Sequence, residues 1–154
     1  MWNPYIQGDI EKLERVQMIA TKLIRGMKNL SYVGRLKLLK VPTLRCRRQR
    51  GDMIEVFKII RGFYSNFNPF TVIKQSHYNT RGHSERLSSE YHKNNLRKYN
   101  FSHRVVNVWN SLPESVIAAE TIDAFKTGLD KHWSAQQLYF DWTEDLQGTG
   151  SRSS

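Results

Sequence analysis

The chain predicts a mostly α-helical fold, a compact bundle of about five helices with a long irregular connector between the third and the fourth. Three observations carry that expectation. Apolar residues recur at helical spacing in five windows. Capping or stop signals bound these windows, and no run of alternating residues long enough to build a sheet separates them. Between the third and fourth windows, over residues 66–99, the periodicity lapses into a polar stretch containing Asn79, Gly82, Ser84, Ser88, Ser89, Asn94 and Asn95.

Taken in order, Asp9 is the expected N-cap of the first helix, with Ile10, Leu13, Val16, Ala20, Leu23 and Ile24 as its inward stripe and Gly26 at the αL stop. Ser31 opens a short second helix that turns Leu36 and Leu39 inward. The Val41–Pro42 pair ends it, because a residue before proline is pushed out of the α region. Thr43 starts a long third helix whose core face is Met53, Ile54, Phe57 and Ile60, and Gly62 closes it. Within the connector, Leu87 and Tyr91 offer at most a short strand. Helical spacing returns at Phe101, Val105, Val108, Trp109 and Leu112, stops at Pro113, and resumes after the cap Thr121 with Ile122, Phe125, Leu129 and Trp133. Trp109 and Trp133 are in phase with their apolar neighbours and read as packing anchors.

At 154 residues, the chain has the length of one domain able to bury a core without staples. The expected domain is residues 1–146. It comprises a basic three-helix part (1–65), the polar connector (66–99) and a C-terminal helical pair (100–146), and a disordered tail (147–154) follows. Cys46 is the sole cysteine, which excludes an intrachain disulfide and a multi-cysteine zinc site and points to an intracellular, nuclear or cytoplasmic location. No window approaches the roughly 18 apolar residues of a membrane span.

Charge is distributed unevenly. Residues 1–98 hold 20 Lys and Arg against 7 Asp and Glu, or +13, and residues 99–154 hold 4 against 7, or −3, giving the chain's +10. The basic part is the expected polyanion surface. Its densest stretch is LRCRRQRG, where Arg45, Arg47, Arg48 and Arg50 fall in six positions with no acid among them. That exceeds what solubility requires and suits bidentate phosphate contact. Lys37, Lys40, Lys58 and Arg61 flank it in sequence, and Arg81 and Arg86 extend the basic set into the connector. There Tyr78, Arg81, His83, Arg86, Tyr91, Lys93, Arg97 and Lys98 interleave bases with aromatics as single-strand binders do, although an ordinary exposed loop has the same composition.

Other chemistry finds less support. His77, His83, His92, His103 and His132 show no HExxH arrangement and no i, i+4 pair, so they read as scattered surface residues rather than metal ligands. Cys46 sits among arginines that would favour its thiolate, yet no partner base can be named, and a half-buried filler is the better reading.

Four separated segments carry a family resemblance: WNPYIQGDIEKLERVQMIATKLI (2–24), LSYVGRLKLLKVPTLRCRRQRGDMIEVFKII (30–60), TRGHSERL (80–87) and FSHRVVNVWNSLPESVIAAETIDAFKTGLDKHW (101–133). In this order they resemble the C-terminal region of reverse transcriptases of jockey-like non-LTR retrotransposons. The resemblance implies a thumb-side fragment of a transposable element's RNA-directed DNA polymerase, lying downstream of the palm. Polymerase chemistry needs clustered palm aspartates holding two metal ions. Here Asp9, Asp52, Asp123, Asp130, Asp141 and Asp145 stand apart, with no Asp-Asp pair, and the family's endonuclease segment is absent. One departure has a physical consequence. Relatives place acids after the Ser-Tyr pair, whereas Gly34 stands here, so the capping box with Ser31 is incomplete and the second helix should fray by about 1 kcal/mol.

The resulting expectation is a non-catalytic, sequence-nonspecific nucleic-acid-binding module that contacts RNA or DNA backbone. It has no cofactor, metal, membrane association or small-molecule substrate, and its possible protein partner is the absent polymerase domain. The rival is a non-functional remnant or a protein–protein interaction module whose exposed apolar patch packed on that domain. A helix-turn-helix regulator built on the second and third helices ranks last, since no motif requires it.

Overall fold

Three helix starts in this chain are set by hydroxyl side chains, Ser31, Thr43 and Thr121, that accept from orphan N–H groups of the first turn. A computed structural model describes residues 6–64, 70, 72–74, 83–88, 101–144 and 146. The described residues form six α-helices: α1 (Gln7–Leu23), α2 (Tyr32–Leu39), α3 (Leu44–Ile60), α4 (Phe101–Asn110), α5 (Glu114–Ile117) and α6 (Ile122–Ser134). A two-stranded sheet, β1 (Val72–Lys74) and β2 (Glu85–Leu87), lies between α3 and α4, and a 3-10 turn at Gln137–Tyr139 follows α6. The fold is therefore mostly helical, as the periodicity requires.

The chain forms two compact units, one of residues up to Arg50 with Trp133–Leu146, the other of Gly51–His132. The divisions fall inside α3 and α6, not at the joints between predicted segments.

In the first unit, α1 starts at Gln7, two residues before the expected cap, and Asp9 sits in its first turn paired with Lys12 at 3.2 Å. Gly26 has φ +83° but turns the chain after the helix rather than capping it, and the Met27 N–H donates to the Ile24 carbonyl there at 3.0 Å. Ser31 caps α2 as expected, its Oγ accepting from the Gly34 N–H at 3.1 Å. A Cβ at Gly34 would lie 3.1 Å from that oxygen. Thr43 caps α3 through its Oγ1, which accepts from the Cys46 N–H at 3.1 Å. The same hydroxyl donates to the Leu138 carbonyl at 2.9 Å, and the Thr43 N–H donates to the Tyr139 carbonyl at 2.9 Å, so one threonine ties the 3-10 turn to the start of α3.

The expected inward stripe of α1 is corrected. Ile10 is buried, but Val16, Ala20, Leu23 and Ile24 are exposed, and Glu14 and Thr21 are the buried residues. The reason is the neighbour that α1 packs on. The Glu14 carboxylate accepts from the Leu44 N–H at 3.1 Å and the Arg45 N–H at 3.3 Å, the positive first turn of α3, and from the Tyr32 hydroxyl. Burial and that bond hold the Tyr32 hydroxyl far above the ordinary phenol range. On the same side of α1, buried Arg35 donates to the Thr21 hydroxyl at 3.1 Å, to the Met18 carbonyl at 3.2 Å and to the Leu30 carbonyl. Three polar clamps fix the rotation of the helix, and the aliphatic residues take what is left.

The second unit has an aromatic centre. Phe57 stacks on Phe125 with centroids 4.4 Å apart, Trp109 lies 5.9 Å from Phe125, and His83 meets the Trp109 ring edge-on at 5.9 Å. The expected anchors Trp109 and Trp133 are both buried, each within its own unit. Gly62 closes α3 at φ +75°, with the Phe63 N–H donating to the Lys58 carbonyl at 3.0 Å and the Gly62 N–H to the Ile59 carbonyl at 3.1 Å, a Schellman pair.

Part of the connector is ordered as sheet, since β1 pairs antiparallel with β2 in the register Val72 to Leu87, Ile73 to Arg86 and Lys74 to Glu85. The end of α4 holds β2 like a third strand. The Asn110 Oδ1 accepts from the Leu87 N–H at 2.8 Å, Asn110 Nδ2 donates to the Leu87 carbonyl at 3.0 Å, and Trp109 Nε1 donates to the Glu85 carbonyl at 2.8 Å. The tail 147–154, Trp2 and Tyr5, and the remainder of the connector, including Tyr78, Arg81, Tyr91, Lys93, Arg97 and Lys98, lie outside the described residues.

Candidate nucleic-acid interface

The arginine cluster of α3 does not form one ridge. At about 100° per residue, Arg45 and Arg48 fall on one side of the helix and Arg47 and Arg50 on the other. Arg45 is taken up internally, its Nη1 donating to the Trp142 and Glu144 carbonyls at 2.9 Å each, which fastens the C-terminal segment to the first turn of α3. Arg48 and Arg50 are half-buried, and Arg47 is fully exposed.

The flanking cations divide in the same way. Lys58 pairs with Glu55 at 2.8 Å, and Lys58 together with the Tyr64 hydroxyl holds the Glu55 carboxyl below its usual range. Arg61 binds Glu85 at 3.0 Å and the Ile117 carbonyl at 2.9 Å and lies over the Phe57 ring at 5.2 Å, so it fastens β2 and α5 to the end of α3. Arg86 is half-buried on β2. The Lys37 and Lys40 side chains stay exposed on α2 and its cap, with no hydrogen bond or ion pair to another described residue. Lys40 takes the left-handed conformation, φ +54°, at the position where glycine usually ends a helix. Lys37 borders a cleft of about 480 Å³ together with Val33, Phe140, Asp141 and Glu144, acids that temper its field.

Three further free cations were not singled out from the sequence: Lys22, Arg25 and Lys28, exposed along the end of α1 and the turn after it. Their scatter through the sequence hides them, because a basic surface is a property of burial and pairing rather than of local density. With Lys37, Lys40 and Arg47 they make six exposed cations without side-chain partners among the described residues of the first unit. The described acids of this unit are Glu14, which is buried, Asp9 and Glu11, which are paired with Lys12 and Arg15, and Asp141 and Glu144, which line the cleft beside Lys37.

Two side chains depart from their expected surroundings. Cys46 is fully buried rather than half-buried, which removes it from solvent. His83 is buried as well, not a surface residue. The Glu85 N–H donates to its Nδ1 at 3.2 Å, so Nε2 carries the proton and donates to the Trp109 carbonyl at 2.9 Å. Burial lowers its pKa below the ordinary imidazole value. Asp52, which looks isolated in sequence, is clamped by Arg104 through contacts of 2.8 Å and 3.1 Å. Among the described residues no group of three His, Cys, Asp or Glu side chains converges to hold a metal ion, and no helix is long and apolar enough to cross a membrane.

Comparison with protein-family models, curated proteins and solved structures returned no match.

Proposed function

We propose that this chain is a non-catalytic, sequence-nonspecific nucleic-acid-binding fragment, equivalent to the thumb-side C-terminal part of a retroelement RNA-directed DNA polymerase. The observation that supports it is the surplus of exposed, unpartnered cations in the first unit, with Lys40 and Arg47 as the leading phosphate contacts and Lys37 beside them. Arg45, Lys58 and Arg61 serve the fold instead. Contacts of this kind go to phosphate and are indifferent to base sequence.

The test is fluorescence anisotropy with homopolymeric RNA and DNA oligonucleotides between about 50 and about 200 mM salt. Affinity should fall with a slope of roughly 0.7 per phosphate contact on single strands. Lys40→Glu combined with Arg47→Glu should weaken every sequence alike by about tenfold or more. A salt-insensitive Kd, or the same Kd in the double variant, overturns the proposal.

A further inference from the structure

The outward face of α1 is apolar where a solvent-facing helix side should be polar. Val16, Ile19 and Leu23 are 64%, 57% and 82% exposed, and Ala20 between them is exposed too. Their spacing, i, i+3, i+4 and i+7, places them in one straight ridge of about 10 Å, which Ile24 prolongs. The ridge cannot be an accident of helix rotation. Turning it inward would withdraw Glu14 from the Leu44 and Arg45 N–H groups and the Thr21 hydroxyl and Met18 carbonyl from Arg35, leaving the first-turn N–H groups of α3 and part of a buried guanidinium without acceptors. The polar clamps on the inner side thus hold an aliphatic ridge in water, and such ridges are recognition surfaces.

The charge around the ridge selects its occupant. Lys22 lies in the last turn of α1 and Arg25 and Lys28 in the turn that follows, all exposed and without side-chain partners, while the acids near the N-terminal end of the helix, Asp9 and Glu11, are neutralised by Lys12 and Arg15. A second copy of this face would set Lys22, Arg25 and Lys28 against the same cations in a parallel pairing, or against the ion-paired Asp9 and Glu11 in an antiparallel one, and so offers them no unpaired carboxylate. A ridge of four side chains also falls far below the roughly 1,200 Å² that a stable dimer buries. A slender partner with acidic flanks meets both conditions.

We infer that the α1 ridge docks an acidic amphipathic helix of another protein, whose aliphatic residues pack against Val16, Ile19 and Leu23 while its carboxylates meet Lys22, Arg25 and Lys28. This goes beyond nucleic-acid binding and does not rest on it. The cations used are different from Lys40 and Arg47, so either proposal can fail alone.

The probe is a fluorescently labelled designed peptide with leucines at helical spacing flanked by glutamates, compared with the same peptide carrying lysines at the flanks. The acidic peptide should bind the full chain in the micromolar range and the basic one at least about tenfold more weakly. Ile19→Ala with Leu23→Ala, and separately Lys22→Glu with Arg25→Glu, should each cost about tenfold, whereas Lys40→Glu should change nothing. All these side chains are exposed, so circular dichroism should show an unchanged fold. No binding, equal binding of the two peptides, or indifference to the ridge variants overturns the inference. So does concentration-dependent self-association lost in Ile19→Ala with Leu23→Ala, which assigns the ridge to a second copy. Sedimentation with vesicles containing phosphatidylserine, lost in the same variant, overturns it in favour of a lipid surface.

Discussion

In the unit formed by Gly51–His132 the centre is aromatic: Phe57, Phe125 and Trp109 stack in sequence, and the polar groups around them are paired edge to edge, Asp52 with Arg104 and Asn110 with Leu87. In the unit that holds α1 and α2 the organising groups are a buried carboxylate, a buried guanidinium and a threonine, each bonded to backbone of another segment. The first arrangement draws its apolar residues inward, Phe63 and Tyr64 being the large exposed ones among its described residues. The second spends its inner helix face on polar clamps, so aliphatic side chains and unpaired cations remain outside. Both proposed binding surfaces fall on the unit in which buried polar clamps stand among the apolar core residues.

The contrast is broken or sharpened by removing the centre of each unit. Trp109→Ala deletes the ring that touches Phe125 and His83 and the N–H that binds the Glu85 carbonyl. Urea denaturation should show a loss of about 3–5 kcal/mol, the largest of the series. Glu14→Ala leaves two N–H groups at the start of α3 and the Tyr32 hydroxyl without their acceptor. It should cost roughly 2–3 kcal/mol, and Glu14→Gln should recover part of that because one oxygen is retained. A Glu14→Ala loss within a few tenths of a kcal/mol would show that the polar clamps do not organise their unit.

The helices were legible in the sequence because most of their signals are local. Ser31, Thr43 and Gly62 cap or close helices where their chemistry demands, and Phe57, Trp109, Phe125 and Leu129 are buried as their spacing requires. The orientation of α1 was not legible. Ile10, Leu13, Val16 and Ala20 satisfy the helical period, yet the period says only that a face exists, and the start of α3 decided which face is buried. Nothing local marks Glu14 as an inward carboxylate, since its partners lie 30 and 31 residues away. Of the two short strands, the one at Leu87 was expected and β1 was not; Leu87 is held by an asparagine side chain from α4, a contact no propensity encodes. The local density of arginine was legible, but not that Arg45 and Arg61 are taken up by carbonyls and a carboxylate far along the chain, nor that Lys22, Arg25 and Lys28 stay exposed without side-chain partners.

His83 supplies the smallest and most specific test, because its role depends on staying neutral. Its Nδ1 accepts from the Glu85 N–H while Nε2 donates to the Trp109 carbonyl, so a second proton would have to displace the first of these bonds. Burial is the main cause of its lowered pKa, and Arg86 adds to it, while the Trp109 carbonyl and the carboxylates of Glu114 and Glu85 oppose it. The unfolded chain, with an ordinary imidazole near 6.5, therefore takes up the proton first as pH falls. Stability contributed by this residue is complete above that value and declines below it toward the depressed value of the folded state. Glu114, held low by hydrogen bonds from the Ser84 N–H and hydroxyl, acts in a separate and more acidic window, below its ordinary 4.5. Thermal melts from about pH 7.5 to about pH 5.5 should show a falling Tm in the parent chain and a flatter profile in His83→Gln, whose amide still donates to Trp109. Parallel profiles in the two proteins would assign the slope to another group and leave His83 as packing alone.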